Sequence, residues 1–73
     1  MIEMRRTVHN ENGIHTGPSR GIFRAMDETD VTINGVRPKC VADILAMGIQ
    51  YGDTIVFRTE GDAMPKPVKH LLL

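Results

Sequence analysis

The chain has 73 residues, of which 9 are basic and 9 acidic, and 41% of its side chains are hydrophobic. A chain this short forms a single domain over residues 1–73 and buries only about 60% of the surface it exposes when unfolded, so its core has to be economical. Charge balance argues against a constitutive nucleic-acid or membrane-surface binder. No apolar run reaches the roughly 20 residues a bilayer needs, and the lone Cys40 cannot form an internal disulfide, so the expected setting is the cytoplasm.

Ile2, Met4 and Val8 fall at even spacings with Glu3, Arg5 and Thr7 between them, the period-two pattern of a strand with one buried face. Residues 10–13 read as a turn, because asparagine and glycine tolerate left-handed backbone. Thr16-Gly17-Pro18-Ser19 opens a helix: Thr16 can cap free amides, and a proline in the first turn breaks no bond. Ile22, Phe23 and Met26 give that helix its apolar stripe, and it ends near Asp27. Val31 and Ile33 alternate with polar neighbours ahead of Asn34-Gly35, a pair suited to positive φ, so two short strands are expected around this hairpin, with Pro38 ending the second or lying on an edge.

Val41, Ile44, Leu45 and Met47 recur at helical intervals up to Gly48, a residue suited to a left-handed helix end. Gly52-Asp53 turns into a strand over 54–59, with Ile55 and Phe57 on one face and Val56 on the other. Pro65 and Pro67 confine a third helix to residues 68–73. The order strand, helix, strand, strand, helix, strand, helix describes an α+β domain with its helices segregated on one face of the sheet.

Chemistry points to Gly13-Ile14-His15-Thr16-Gly17-Pro18-Ser19. His15 lies immediately before the first helix, so the unpaired N–H groups of Thr16, Gly17 and Ser19, with the positive end of the helix dipole, surround its ring. An anion placed there is stabilised. On spacing alone, a surface histidine with no chemistry is the better reading. The basic residues Arg5, Arg6, Arg20, Arg24, Arg37, Lys39 and Arg58 either gather into an anion-facing patch or make a mixed solvated surface. His9 and His70 have no companions at metal-ligand spacing, so no metal site is expected, and no cofactor-binding motif is visible.

The same segment resembles the active-site signature of the histidine phosphocarrier (HPr) family, in which a glycine, an aliphatic residue and a phosphorylated histidine are followed by a variable residue, an arginine, a proline and a small residue. Asn34-Gly35 is similar to the family's hairpin, Ala46-Met47-Gly48-Ile49-Gln50-Tyr51-Gly52-Asp53-Thr54-Ile55 to its helix-to-strand turn, and Glu60-Gly61 with Val68-Lys69-His70-Leu71 to its last helix. Nearly the whole chain is covered, with deletions between the first and second helices and a missing C-terminal end.

The resemblance implies an HPr-like open-faced β-sandwich: a four-stranded antiparallel sheet with three helices on one face, the last helix shortened. It implies a monomeric phosphocarrier rather than a turnover enzyme, accepting phosphate on Nδ1 of His15. The donor would be the phosphoenolpyruvate-dependent general enzyme of the sugar phosphotransferase system, and the acceptor a sugar-permease IIA component. Val41, Ala42 and Leu45 fall on the positions of the family's partner-docking ridge, with Ile44 and Met47 facing the core, unless the whole set is core.

The chain departs from the family at three places. Gly17 stands where the family has an arginine, which leaves a backbone N–H in place of a two-pronged cation. Arg20 and Arg24, further along the helix, either compensate or are simply solvated. Cys40 replaces the serine that a regulatory kinase phosphorylates in some members, which removes that control; a thiol at a helix start can gain reactivity, but a buried and inert cysteine is the expected form. Asp43 stands where a basic or small residue is common, which weakens attraction to acidic partners. Gly17 and Asp43 together favour an alternative, a regulatory binding module of this fold with little or no transfer. Leu71, Leu72 and Leu73, on a shortened last helix, could instead seek a partner subunit.

Overall fold

The structure is a computed structural model that describes every residue except Glu28 and Leu72, together with the side chain of Thr16. Its elements are β1 (Ile2–Thr7), α1 (Thr16–Met26), β2 (Thr32–Ile33), α2 (Val41–Leu45), β3 (Thr54–Thr59) and α3 (Lys66–Lys69). The strands form an antiparallel sheet in the order β1-β3-β2.

The central strand carries the alternation that the sequence announces. Ile55, Phe57 and Thr59 are buried, whereas Arg58 is exposed, because successive side chains of a strand point to opposite faces. Met4 lies opposite Phe57 on β1, and Ile33 lies opposite it on β2. Phe57 therefore anchors both edges of the sheet. Ile22 and Met26 of α1, Ile44 of α2 and Val68 of α3 share its core, and full burial of each such side chain contributes about 1.5–3 kcal/mol. The other face stays open: Glu3 pairs there with Arg5 at 3.1 Å and with Arg58 at 3.3 Å.

The expected fourth strand does not form, and the sheet of the described residues has three strands. The hairpin itself is as expected, with φ of 51° at Asn34 and 82° at Gly35. Ile33 and Val36 exchange both backbone hydrogen bonds, at 2.8 and 2.9 Å. In that register the next bonded pair would be Val31 with Pro38, and Pro38 has no N–H to donate. The ladder consequently stops at a single bridge between Ile33 and Val36.

The last helix also differs from expectation, spanning Lys66–Lys69 instead of starting at Val68. Pro65 is its N-cap and Pro67 sits in its first turn, where no N–H is needed. Beyond it the carbonyl of Leu73 accepts the His9 N–H at 2.9 Å, which draws the chain out of helical geometry. Leu71 and Leu73 are half-buried against the core; Leu72 lies outside the described residues.

Candidate functional site

Two glycine turns place His15. Gly13 has φ of 66°, and a Cβ added to it would lie 2.6 Å from the Ile49 carbonyl oxygen and 2.8 Å from the Gln50 Cα. Only glycine allows that approach, and it lets the Ile14 N–H donate to the Ile49 carbonyl at 3.0 Å. Ile14 is buried and His15, the next residue, is exposed. The chain thus emerges from the core at the residue where α1 begins. On the other side of the contact, Gly52 donates to the Val8 carbonyl at 2.9 Å and Asp53 Oδ2 accepts the Gln50 N–H at 2.8 Å, which fixes the loop after α2.

His15, and not Thr16, is the N-cap of α1. Its Nδ1 accepts the Gly17 N–H at 3.4 Å. An accepting nitrogen carries no proton, so in the neutral ring the proton is on Nε2 and the lone pair of Nδ1 faces the helix entrance. Ser19 departs from expectation: its N–H is already bonded to the His15 carbonyl at 3.0 Å, and the residue is fully buried. It is the first amide with an acceptor inside the helix, which leaves those of Thr16 and Gly17 as the helix-entrance donors, since Pro18 has none. The Thr16 side chain lies outside the described residues.

Gly17 leaves the ring uncovered. A Cβ there would sit 3.4 Å from His15 Cε1 and 3.8 Å from Nδ1, an ordinary contact distance. Arg20 and Arg24 are exposed on α1, and Arg24 is in its last turn. The remaining cations are dispersed. Arg5 and Arg58 pair with Glu3 on the open face, Arg6 Nη2 donates to the Lys69 carbonyl at 2.6 Å, and Arg37 and Lys39 lie on the connection into α2. They do not converge on His15 as one patch.

On α2, Ile44 is fully buried and Met47 packs against the core, while Ala42 and Leu45 are exposed and Val41 is half-buried. The helix therefore has an inner and an outer side, and Ala42 and Leu45 lie on the outer one. Asp43 is half-buried, and its Oδ2 accepts the Lys39 N–H at 2.8 Å, so its carboxylate is committed to capping the helix entrance. The sequence carries a signal for this clasp, an acidic residue at the third position of the helix, from which a carboxylate reaches back to a backbone N–H, although on charge alone it registers only as a surface acid. Cys40 is exposed, against the expectation of a buried thiol, because as N-cap it stands outside the first turn without a side-chain bond of its own.

The domain is α+β, and it sets one exposed imidazole, that of His15, at a helix entrance. The model of the family described as the PTS HPr component phosphorylation site matches residues 2–72. The chain belongs to that family, the phosphocarriers of the phosphotransferase system. The search of curated proteins and that of solved structures each returned no match. No helix among the described residues is long and apolar enough to cross a membrane.

Proposed function

We propose that this protein is a cytoplasmic phosphoryl carrier in which Nδ1 of His15 takes the phosphoryl group from the general phosphotransferase enzyme and gives it to a sugar-permease IIA component. The observation that carries this reading is the Gly17 N–H directed at Nδ1. The lone pair of Nδ1 attacks phosphorus, the N–P bond forms as the donor's bond to phosphorus breaks, and the ring keeps its Nε2 proton. The entering oxygens take over the amides of Gly17 and Thr16, where the helix dipole favours negative charge. The chemistry asks mainly for alignment and charge compensation.

Arg20 is the nearer auxiliary cation. It lies one turn beyond Gly17, and helical side chains lean towards the N-terminus. Arg24 lies about 10 Å along the axis from Gly17, which suits contact with an acidic partner better than contact with the phosphoryl group. Ala42 and Leu45 on the outer side of α2, with the half-buried Val41, make the docking ridge in this reading. It is continuous in the chain with Ile49, whose carbonyl holds Ile14 beside the histidine. The commitment of Asp43 to the Lys39 amide reduces its expected repulsion of acidic partners.

Incubation with phosphoenolpyruvate and the general enzyme should give one acid-labile phosphate, seen by phosphorus NMR and absent in His15→Ala. A second reading, a binding module with weak transfer, is favoured by Gly17. Gly17→Arg separates the two, because its Cβ fits beside the ring. A large gain in labelling rate supports impaired transfer in the natural chain, and an unchanged fast rate supports a competent carrier.

A further inference from the structure

The early end of the hairpin has a second consequence. Because Pro38 cannot continue the ladder, the segment after Val36 leaves the sheet edge, and a hollow of about 420 Å³ opens between Val31, the end of α1 and the departing chain. Phe23, Met26 and Val31 line it with apolar surface, and Asp27, Arg37, Pro38 and Lys39 complete its lining. Its size is within the range of small-molecule sites. It lies at the opposite end of α1 from His15, about 16 Å along an 11-residue helix, so it is separate from the phosphoryl site.

We propose that this hollow binds a small organic carboxylate with an apolar body, such as an aromatic or branched-chain acid. Arg37 and Lys39 are exposed, and neither side chain donates a hydrogen bond or forms an ion pair among the described residues. Arg37 does feel the charge of Asp30, but that carboxylate is itself bonded to Thr59 and Glu60. The wall that carries the two cations is held at both ends. Val36 is fixed by its two bonds to Ile33, Lys39 by the Asp43 carboxylate, and Pro38 restricts the backbone between, so little ordering is left for a ligand to impose.

The charges also set the ligand's orientation. Asp27 and the negative C-terminal end of α1 repel an anion from the helix side, which turns the carboxylate towards Arg37 and Lys39 and the apolar body towards Phe23, Met26 and Val31. A second hollow, of about 460 Å³, shares both cations but is otherwise lined by Val36, Asp43, Ala46 and Met47. It lacks an aromatic residue, so it suits this ligand less well.

The test is a titration with 3-phenylpropionate followed by amide chemical shifts, with 3-phenylpropylamine as the control of opposite charge. A dissociation constant on the order of millimolar is expected, with shifts confined to residues around Phe23, Val31 and Arg37 and none from the amine. Arg37→Glu should weaken binding about fivefold. Pro38→Thr restores the missing amide opposite Val31 and should extend the sheet, close the hollow and abolish binding. Should that variant not fold, Arg37→Glu alone decides. Equal shifts from the amine, unchanged binding in either variant, or no shifts at several times the expected constant would overturn the proposal.

Discussion

The entrance to α1 and the connection from β2 to α2 are both loops lined with turn residues, yet they end up differently. The first is locked against a neighbouring loop by a glycine that admits no side chain, and the imidazole stands at a fixed point. The second begins with an equally good turn, and one residue without an N–H then stops the pairing that the turn had started. The comparison shows that a turn signal fixes only its own residues. The conformation of the chain beyond the turn depends on whether each later backbone group finds a partner in the register the turn has set.

Substitutions at the two turns sharpen this contrast. Gly13→Ala should have the largest effect: the new methyl would meet the Ile49 carbonyl oxygen and the Gln50 backbone at a φ of 66°. A loss of about 3 kcal/mol in urea unfolding is expected, with His15 displaced and labelling slowed in the fraction that remains folded. Gly35→Ala should cost less, about 1 kcal/mol, since its φ is 82° but nothing lies within 4 Å of an added Cβ. Equal losses at the two positions would show that backbone conformation alone, without the close approach, accounts for Gly13.

The smallest effect is expected from Asp30, which ties the segment before β2 to the end of β3. Its carboxylate accepts the Thr59 hydroxyl at 2.6 Å and the Glu60 N–H at 3.0 Å. The Thr59 hydroxyl, and then the Glu60 amide, hold its pKa below the ordinary aspartate value. A depressed carboxylate stabilises the folded state above its unfolded pKa and loses that contribution as pH falls through the folded value. Hydrogen bonds from Arg5 and Arg58 lower Glu3 in the same direction. The thermal midpoint should therefore fall as pH drops below about 4, and fall less steeply in Asp30→Asn; identical slopes would remove Asp30 from the account.

Much of this arrangement is legible in the sequence, where the signals are local. The alternation in β1 and β3, the proline-bearing start of α1, Asn34-Gly35 and the apolar stripe of α1 each state their own conformation. His15 could be placed at the helix entrance for the same reason. The failures are of another kind. That Pro38 falls opposite Val31 is visible only once the register is set, and that Ser19 has used its amide depends on which residue caps the helix. The final turn of α3 gives way to a bond between Leu73 and His9, residues 64 positions apart, which no local pattern reports.

The position of β3 between the two other strands has a consequence for the order in which the molecule opens. Either edge can detach while the middle keeps one partner, so amides of residues 55–59 should be the last to exchange with solvent, at a rate set by global unfolding. The two-residue β2 should exchange early. Protection would then decline outwards from Phe57, and a ligand held beside Val31 would raise it first at the weak edge.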